Sequence, residues 1–139
     1  MAEPQFGFDP PQPVTLFASA ARDNTGAESG IFVSEIYDGI PSQYRGVLIV
    51  ANVTVDGATS TGFVIDVDNK ETGDGVWTTA LASATIDGLG TTFMLVHPDA
   101  PEDVANIVET TSLDYKWRVT WTHSDENAMT GSVQAYFLI

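Results

Sequence analysis

Hydrophobic and polar residues alternate along most of the chain with the period of two that is typical of β-strands. The clearest case is residues 63–68, where Phe63, Ile65 and Val67 alternate with a valine and two aspartates. A longer stretch, 44–55, places aliphatic residues on one face: Val47, Ile49, Ala51, Val53 and Val55. Near the C-terminus a further face is formed by Trp117, Val119, Trp121 and His123. The residues predicted to form the core are Val47, Ile49, Val53, Phe63, Ile65, Trp117, Val119 and Trp121.

Shorter apolar stretches bring the predicted number of strands to about eight. They lie at 14–19, 30–35, 76–81, 91–96 and 133–139, and turn-forming clusters of Gly, Asn and Asp separate several of them. Only residues 101–108, PEDVANIV, have helical character, because a proline and two acids suit the first turn of a helix. The sequence therefore predicts an all-β fold: an antiparallel, jelly-roll-like β-sandwich with one short helical turn near 101–108.

Residues 1–13, MAEPQFGFDPPQP, lack this strand pattern and contain four prolines and two phenylalanines. Because prolines fix φ and bias the preceding residue toward extended conformations, this segment is predicted to be an extended arm before a single domain at 14–139. Phe6 and Phe8 would point the same way along such a chain. The arm residues Phe6, Phe8, Pro10 and Pro11 are therefore a predicted protein interface, with a terminus packed on its own domain or left in solvent as the alternative.

Composition excludes several classes of partner. Five Lys and Arg residues against 19 Asp and Glu residues give a formal net charge of −14, which repels a phosphate backbone and argues against nucleic-acid binding. The longest apolar run, 47–51, is far below the roughly 20 residues that span a bilayer. The chain has no cysteine, so disulfides and thiolate nucleophiles are ruled out. No leader pattern opens the sequence, and we expect a protein made and used in a cytoplasm without processing.

Two stretches invite a chemical interpretation, and in each a structural one is preferred. His123, Ser124 and Asp125 have the residue types of a catalytic triad, but neighbouring residues on an extended chain point apart. The acidic stretch 66–74 lacks the spacing of an EF-hand loop, so a solvated hairpin turn is preferred and calcium binding stays open as the alternative. No catalytic, cofactor-binding or metal-binding residue is assigned, and the expected function is non-enzymatic.

The three tryptophans allow two interpretations. Trp77, Trp117 and Trp121 could form a platform on which a sugar stacks. Trp117 and Trp121, however, share a face with Val119, and a row of aromatic residues directed into the core is preferred.

Three stretches together carry a resemblance to a known group of proteins. They are VTLFASAAR at 14–22, YRGVLIV with a following NVT at 44–54, and YKWRVTWTHSD at 115–125. The chain resembles small structural proteins encoded in the virion modules of tailed bacteriophages. In these proteins an ASAAR opening, an RG strand followed by NVT or DVT, and a WRVxxTHxD strand recur in this order. The resemblance extends from Val14 to the end, and the hairpin at 73–77 departs from it by being more acidic.

The resemblance implies a virion component without a cofactor, most plausibly a capsid decoration or stabilising (cement) protein on the head surface. Its implied partners are the major capsid protein, other copies of this chain, or both, with a homo-oligomer such as a trimer. The implied location is the capsid surface of the virion, after assembly in the cytoplasm of the bacterial host. The alternatives are a tail, neck or fibre component and a carbohydrate-binding module for host attachment.

Overall fold

The computed structural model describes residues 13–23, 31–33, 45–56, 61–70, 76–113, 116–123, 125 and 127–138, with the backbone alone at 31–33, 70 and 116. In these ranges the chain is all-β. The strands are β1 (Pro13–Arg22), β2 (Ile31–Val33), β3 (Gly46–Asp56), β4 (Phe63–Lys70), β5 (Thr78–Ala82), β6 (Gly90–Val96), β7 (Val108–Glu109), β8 (Lys116–His123) and β9 (Met129–Leu138). No helix long and apolar enough to cross a membrane is found among the described residues.

The strands form two sheets. Sheet A has the order β1-β9-β3-β6-β7, and sheet B has the order β2-β8-β4-β5. Every ladder between named strands is antiparallel except the short parallel pairing of β6 with β7.

The first four strands pair with later strands in reverse order. β1 pairs with β9, β2 with β8, β3 with β6 and β4 with β5. Two further ladders, β3 with β9 and β4 with β8, join these pairs side by side into the two sheets. Among the described residues, the strands early in the chain thus pair with strands that come later, in reverse order.

The two sheets share one core, to which each contributes every second side chain. Phe17 of β1 lies across from Trp121 of β8, with ring centres 6.1 Å apart, and Trp117 of β8 meets Phe137 of β9 at 5.8 Å. The eight residues predicted to form the core are all buried, which confirms that prediction. The other buried hydrophobic residues are Phe17, Ala51, Val67, Leu81, Ile86, Met94, Val96, Met129, Val133 and Ala135.

Val55 departs from the predicted alternation. It was expected on the buried face of its strand, but its side chain is 57% exposed. The pairing of β3 with β9 shifts register between Val53 and Val55, and the extra residue turns Val55 to the other face.

The predicted helical turn at 101–108 is not confirmed. The carbonyl of Val104 accepts hydrogen bonds from the amides of Ile107 and Val108, which closes a single turn, and β7 follows at once. Asn106 has a φ of 65°, a left-handed conformation that cannot continue a right-handed helix. A proline and two acids suit a helix start, but here the turn that follows leads directly into a strand.

The register places the ends of three strands and the starts of two others together at one end of the domain. Arg22 at the end of β1 and Asp56 at the end of β3 both pair with Met129, the first residue of β9. In sheet B, His123 at the end of β8 pairs with Phe63 at the start of β4. We call this the His123 end, and we call the opposite end, where β1 begins and β9 finishes, the Pro13 end.

Candidate functional site

The predicted interface residues of the arm, Phe6, Phe8, Pro10 and Pro11, lie outside the described residues. The described chain begins at Pro13, the first residue of β1, which is an edge strand of sheet A among the described strands. Pro13 pairs with Tyr136 of β9. The segment that carries the predicted interface is therefore attached at the edge of sheet A.

The outer face of sheet A carries a continuous apolar strip. Tyr136 pairs with Leu48, Leu48 pairs with Leu95, and Leu95 pairs with Val108, so these four side chains form one row across four strands. The next row contains Val50 beside Phe93. The Phe93 side chain is 55% exposed, and the others are partly buried. Such a strip on the outside of a small domain is typical of an interaction surface.

In its central rows this face carries no charged side chain among the residues that the structure describes. The outward residues of these rows, here called the uncharged face, are Pro13, Thr15, Leu48, Val50, Asn52, Thr91, Phe93, Leu95, Val108, Ser132, Gln134 and Tyr136. None of them is ionisable near neutral pH, although the whole chain has a formal net charge of −14. Contact at this face would therefore bury neither a charged side chain nor its hydration shell.

The outer face of sheet B is different, because it carries charged residues that bind each other. The Arg118 Nε lies 2.9 Å from the Asp68 Oδ2, and the Thr79 hydroxyl donates to the Asp68 Oδ1 at 3.1 Å. The guanidinium of Arg118 lies 4.5 Å from the centre of the Trp77 ring. Burial, and then the charge of Asp68, raise the pKa of the Asp66 carboxyl. We call Asp66, Asp68 and Arg118 the charged face.

The acidic stretch proposed as a possible calcium loop is only partly described, because residues 71–75 fall outside the described ranges. Asp68 has both carboxylate oxygens engaged, one by Arg118 and one by Thr79, so a cation would compete with the Arg118 guanidinium for this carboxylate. Among the residues that the structure describes, no group of three or more His, Cys, Asp or Glu side chains is placed to hold a metal ion.

His123 is a packing residue within the described part of the chain. It is buried, its ring stacks on Phe63 with centres 5.4 Å apart, and its Nδ1 accepts a hydrogen bond from the Trp121 indole at 2.8 Å. An accepting Nδ1 places the proton of the neutral ring on Nε2, which has no hydrogen-bond partner among the described residues. Burial lowers the pKa of His123, against the opposing influence of Asp125 and Asp23.

Asp125, the other member of the possible triad that the structure describes, is bound to Thr61. Ser124 lies outside the described residues, and the Asp125 carboxylate accepts from the amide and hydroxyl of Thr61 at 2.7 and 2.9 Å. The second histidine, His97, accepts from the amide of Asp99 at 3.0 Å, within a turn. The described geometry therefore does not assemble a nucleophile and a base around either ring.

The tryptophans in the third motif are core residues, as preferred from the sequence. Trp121 stacks on Phe63 with ring centres 3.8 Å apart, and Trp117 is also buried. Trp77 is partly buried and lies against Arg118. The three rings therefore do not share an exposed surface, and a sugar platform built from them is not supported.

Sequence reasoning missed the role of Arg22. This side chain is buried at the His123 end, with its guanidinium 5.0 Å from the Trp121 ring centre. It donates to the carbonyls of Gly131 at 3.0 Å and Ala18 at 2.7 Å. It thereby satisfies carbonyls where the pairing of β1 with β9 is irregular. The one available signal was its place at the end of the ASAAR motif.

A shallow depression of about 240 Å³ lies at the same end of the domain, lined by residues 84–89 and Thr92. Asp87 is the only ionisable residue among those that line it. The depression therefore does not bring together the pair of carboxylates that glycoside hydrolysis would need.

No protein-family model matches the chain, and no curated protein matches it.

Proposed function

We propose that the chain is a structural protein of a tailed-bacteriophage virion, and specifically a decoration or cement protein that binds the head surface. The observation that carries the proposal is the contrast between the two outer sheet faces, one uncharged and apolar and the other charged. A protein that covers a particle needs one surface for its partners and another that stays in water. The resemblance of the three sequence motifs supplies the class of particle.

The proposal includes the fold. We infer a jelly roll, a β-sandwich in which one long antiparallel ribbon is wrapped into two sheets. The reverse-order pairing of the strands supports this inference, with the two-residue strand β7 as an addition at the edge of sheet A. Double-sheet jelly rolls are used by viral capsid domains and also by lectins, so the fold by itself does not decide the function.

The motif residues have packing roles, which supports a structural function. In the second motif, a Cβ on Gly46 would lie 2.4 Å from the carbonyl oxygen of Val96, so the close approach of β3 to β6 requires glycine there. Arg22 from the first motif and Trp121 and His123 from the third meet at the His123 end. Motifs whose residues pack the core are consistent with a non-enzymatic protein.

The proposed partners follow from the same surfaces. The uncharged face and the arm residues Phe6 and Phe8 would bind the major capsid protein, other copies of this chain, or both. The acidic side chains outside the uncharged face would stay in solvent on the outside of the particle and would repel nucleic acid. We propose no cofactor and no catalytic residue.

A tail, neck or fibre protein would need the same kind of surface. The number of copies per virion distinguishes such a protein from a head protein. A carbohydrate-binding host-attachment module would need exposed aromatic rings near the loops. The burial of Trp117 and Trp121 removes the main candidates from that role, so the host-attachment alternative has less support.

Co-sedimentation with phage particles assembled without this protein tests the proposal. The purified chain should pellet with particles and saturate at a fixed ratio to the major capsid protein. Phe93→Asp should weaken the binding because it places a charge on the uncharged face. Val76→Asp is the matched control, since Val76 is an apolar residue, 84% exposed, that lies outside the uncharged face. An intact chain that stays in the supernatant would contradict the proposal.

A further inference from the structure

The uncharged face leaves an apolar centre open at Phe93. This ring is more than half exposed, and its neighbours Val50 and Leu95 are partly buried. Strand residues that face water on an acidic protein are usually polar or charged. An exposed phenylalanine between two aliphatic side chains is therefore suited to receive another apolar group.

The chain itself supplies a segment with matching chemistry. Residues 1–12 precede Pro13, which stands at the end of the row that continues through Tyr136, Leu48 and Leu95. This segment contains Phe6 and Phe8 and has no basic side chain. Phe8 and Phe6 are five and seven residues from Pro13, so they can reach about 16 and 23 Å from it when extended.

Geometry favours a second copy over the chain's own domain. Leu95 lies three strands across from Pro13, about 14 Å at the usual strand spacing, and Phe93 lies in the next row, level with Thr15, about 16 Å from Pro13. To reach its own Phe93, the arm would have to turn by about a right angle between residues 8 and 13. Prolines at 10, 11 and 13 favour a stiff, extended course that continues the line of β1 away from the domain.

We propose that the N-terminal segment of one copy, residues 1–12, binds the uncharged face of a second copy, with Phe6 and Phe8 packing around Phe93. Two chains that each carry a net charge of −14 repel, and the arm, whose charged residues are Glu3 and Asp9, is repelled least by a surface without charged side chains. The contact is heterologous, arm to face, so each copy keeps one free arm or one free face until a ring closes. This inference deepens the proposed function by naming one partner of the arm.

The test uses full-length protein and sedimentation velocity over a range of concentrations, without phage particles. The unmodified chain and Val76→Asp should associate. A face variant, Phe93→Asp, and an arm variant, Phe6→Ala with Phe8→Ala, should each weaken self-association at least about tenfold, because each removes one side of every contact. A one-to-one mixture of the two variants should form a heterodimer, since the face variant keeps its arm and the arm variant keeps its face.

Three results would overturn the inference. The unmodified chain could stay monomeric, which would place the arm on its own domain or in solvent. The mixture could stay monomeric while the unmodified chain associates, which would show that one intact arm and one intact face on different copies are not enough for contact. The arm variant could associate as tightly as the unmodified chain. Phe93→Thr, a residue that suits strands, replaces Phe93→Asp if circular dichroism shows the latter to be unfolded.

The self-association experiment and the particle-binding experiment test the two proposals separately. Association through arm and face without binding to particles would remove the proposed function and keep this inference. Binding to particles by a chain that is monomeric in solution would do the reverse.

Discussion

Replacing Gly131 by alanine should destabilise the domain through a single methyl group. Gly131 lies in β9, between β1 and β3, where the sheet passes under Trp121. A Cβ at this position would lie 2.8 Å from the carbonyl oxygen of Asn52 and 3.1 Å from the Trp121 Cη2. The first contact is with backbone, which cannot move aside as a flexible side chain would. Gly131→Ala therefore tests the packing of sheet A on sheet B directly.

The expected size of the effect follows from two opposing contributions. Overpacking a well-filled core costs about 1–3 kcal/mol, and replacing glycine by alanine in a strand recovers about 0.5–1 kcal/mol of backbone entropy. The predicted net loss is thus between about 0 and 2.5 kcal/mol in the free energy of unfolding, with a central value of about 1 kcal/mol. Gly88→Ala is the matched control, because a Cβ on Gly88 meets nothing within 4 Å. Urea unfolding followed by tryptophan fluorescence measures both variants. Equal stability of Gly131→Ala and Gly88→Ala would refute the described approach of β9 to Trp121.

Two further predictions concern charged and ionisable groups. Asp68→Asn should cost about 1–3 kcal/mol of unfolding free energy, because it leaves the partly buried Arg118 without its carboxylate. Asp99→Asn breaks an exposed ion pair with Arg45 and should cost less than about 1 kcal/mol, and equal losses in urea unfolding would contradict this contrast. The lowered pKa of His123 means that the unfolded chain takes up its proton at a higher pH than the folded chain, so stability should fall as the pH drops below about 6.5. In His123→Phe the urea midpoint should change less between pH 7.5 and pH 5.5 than it does in the unmodified chain. An equal change in both proteins would show that another group is responsible.

The sequence pattern predicts the buried faces well because alternation is a local property. Phe63, Ile65 and Val67 alternate with polar neighbours and are all buried. Val55 fails because a bulge is set by the pairing with β9, some 75 residues away in sequence, and leaves no local signal.

The candidate site depends on contacts that are distant in sequence. Nothing in the local sequence distinguishes Leu48, Leu95 and Tyr136 from other strand residues. Only the order of β9, β3 and β6 in the sheet places them in one apolar row. The buried position of Arg22 beside Trp121 has the same origin, because about 100 residues separate them in sequence. Composition predicts an acidic surface but cannot show that the described residues of the uncharged face carry no charge.

The central claim, that the chain is a structural component of the phage head, is tested most directly by counting it in purified virions. Quantitative mass spectrometry of particles from the phage that encodes it gives its copy number relative to the major capsid protein. The account predicts a ratio in simple proportion to the capsid subunits, which corresponds to hundreds of copies per particle. A handful of copies would move it to the tail, neck or fibre, and its absence from purified virions would contradict the claim.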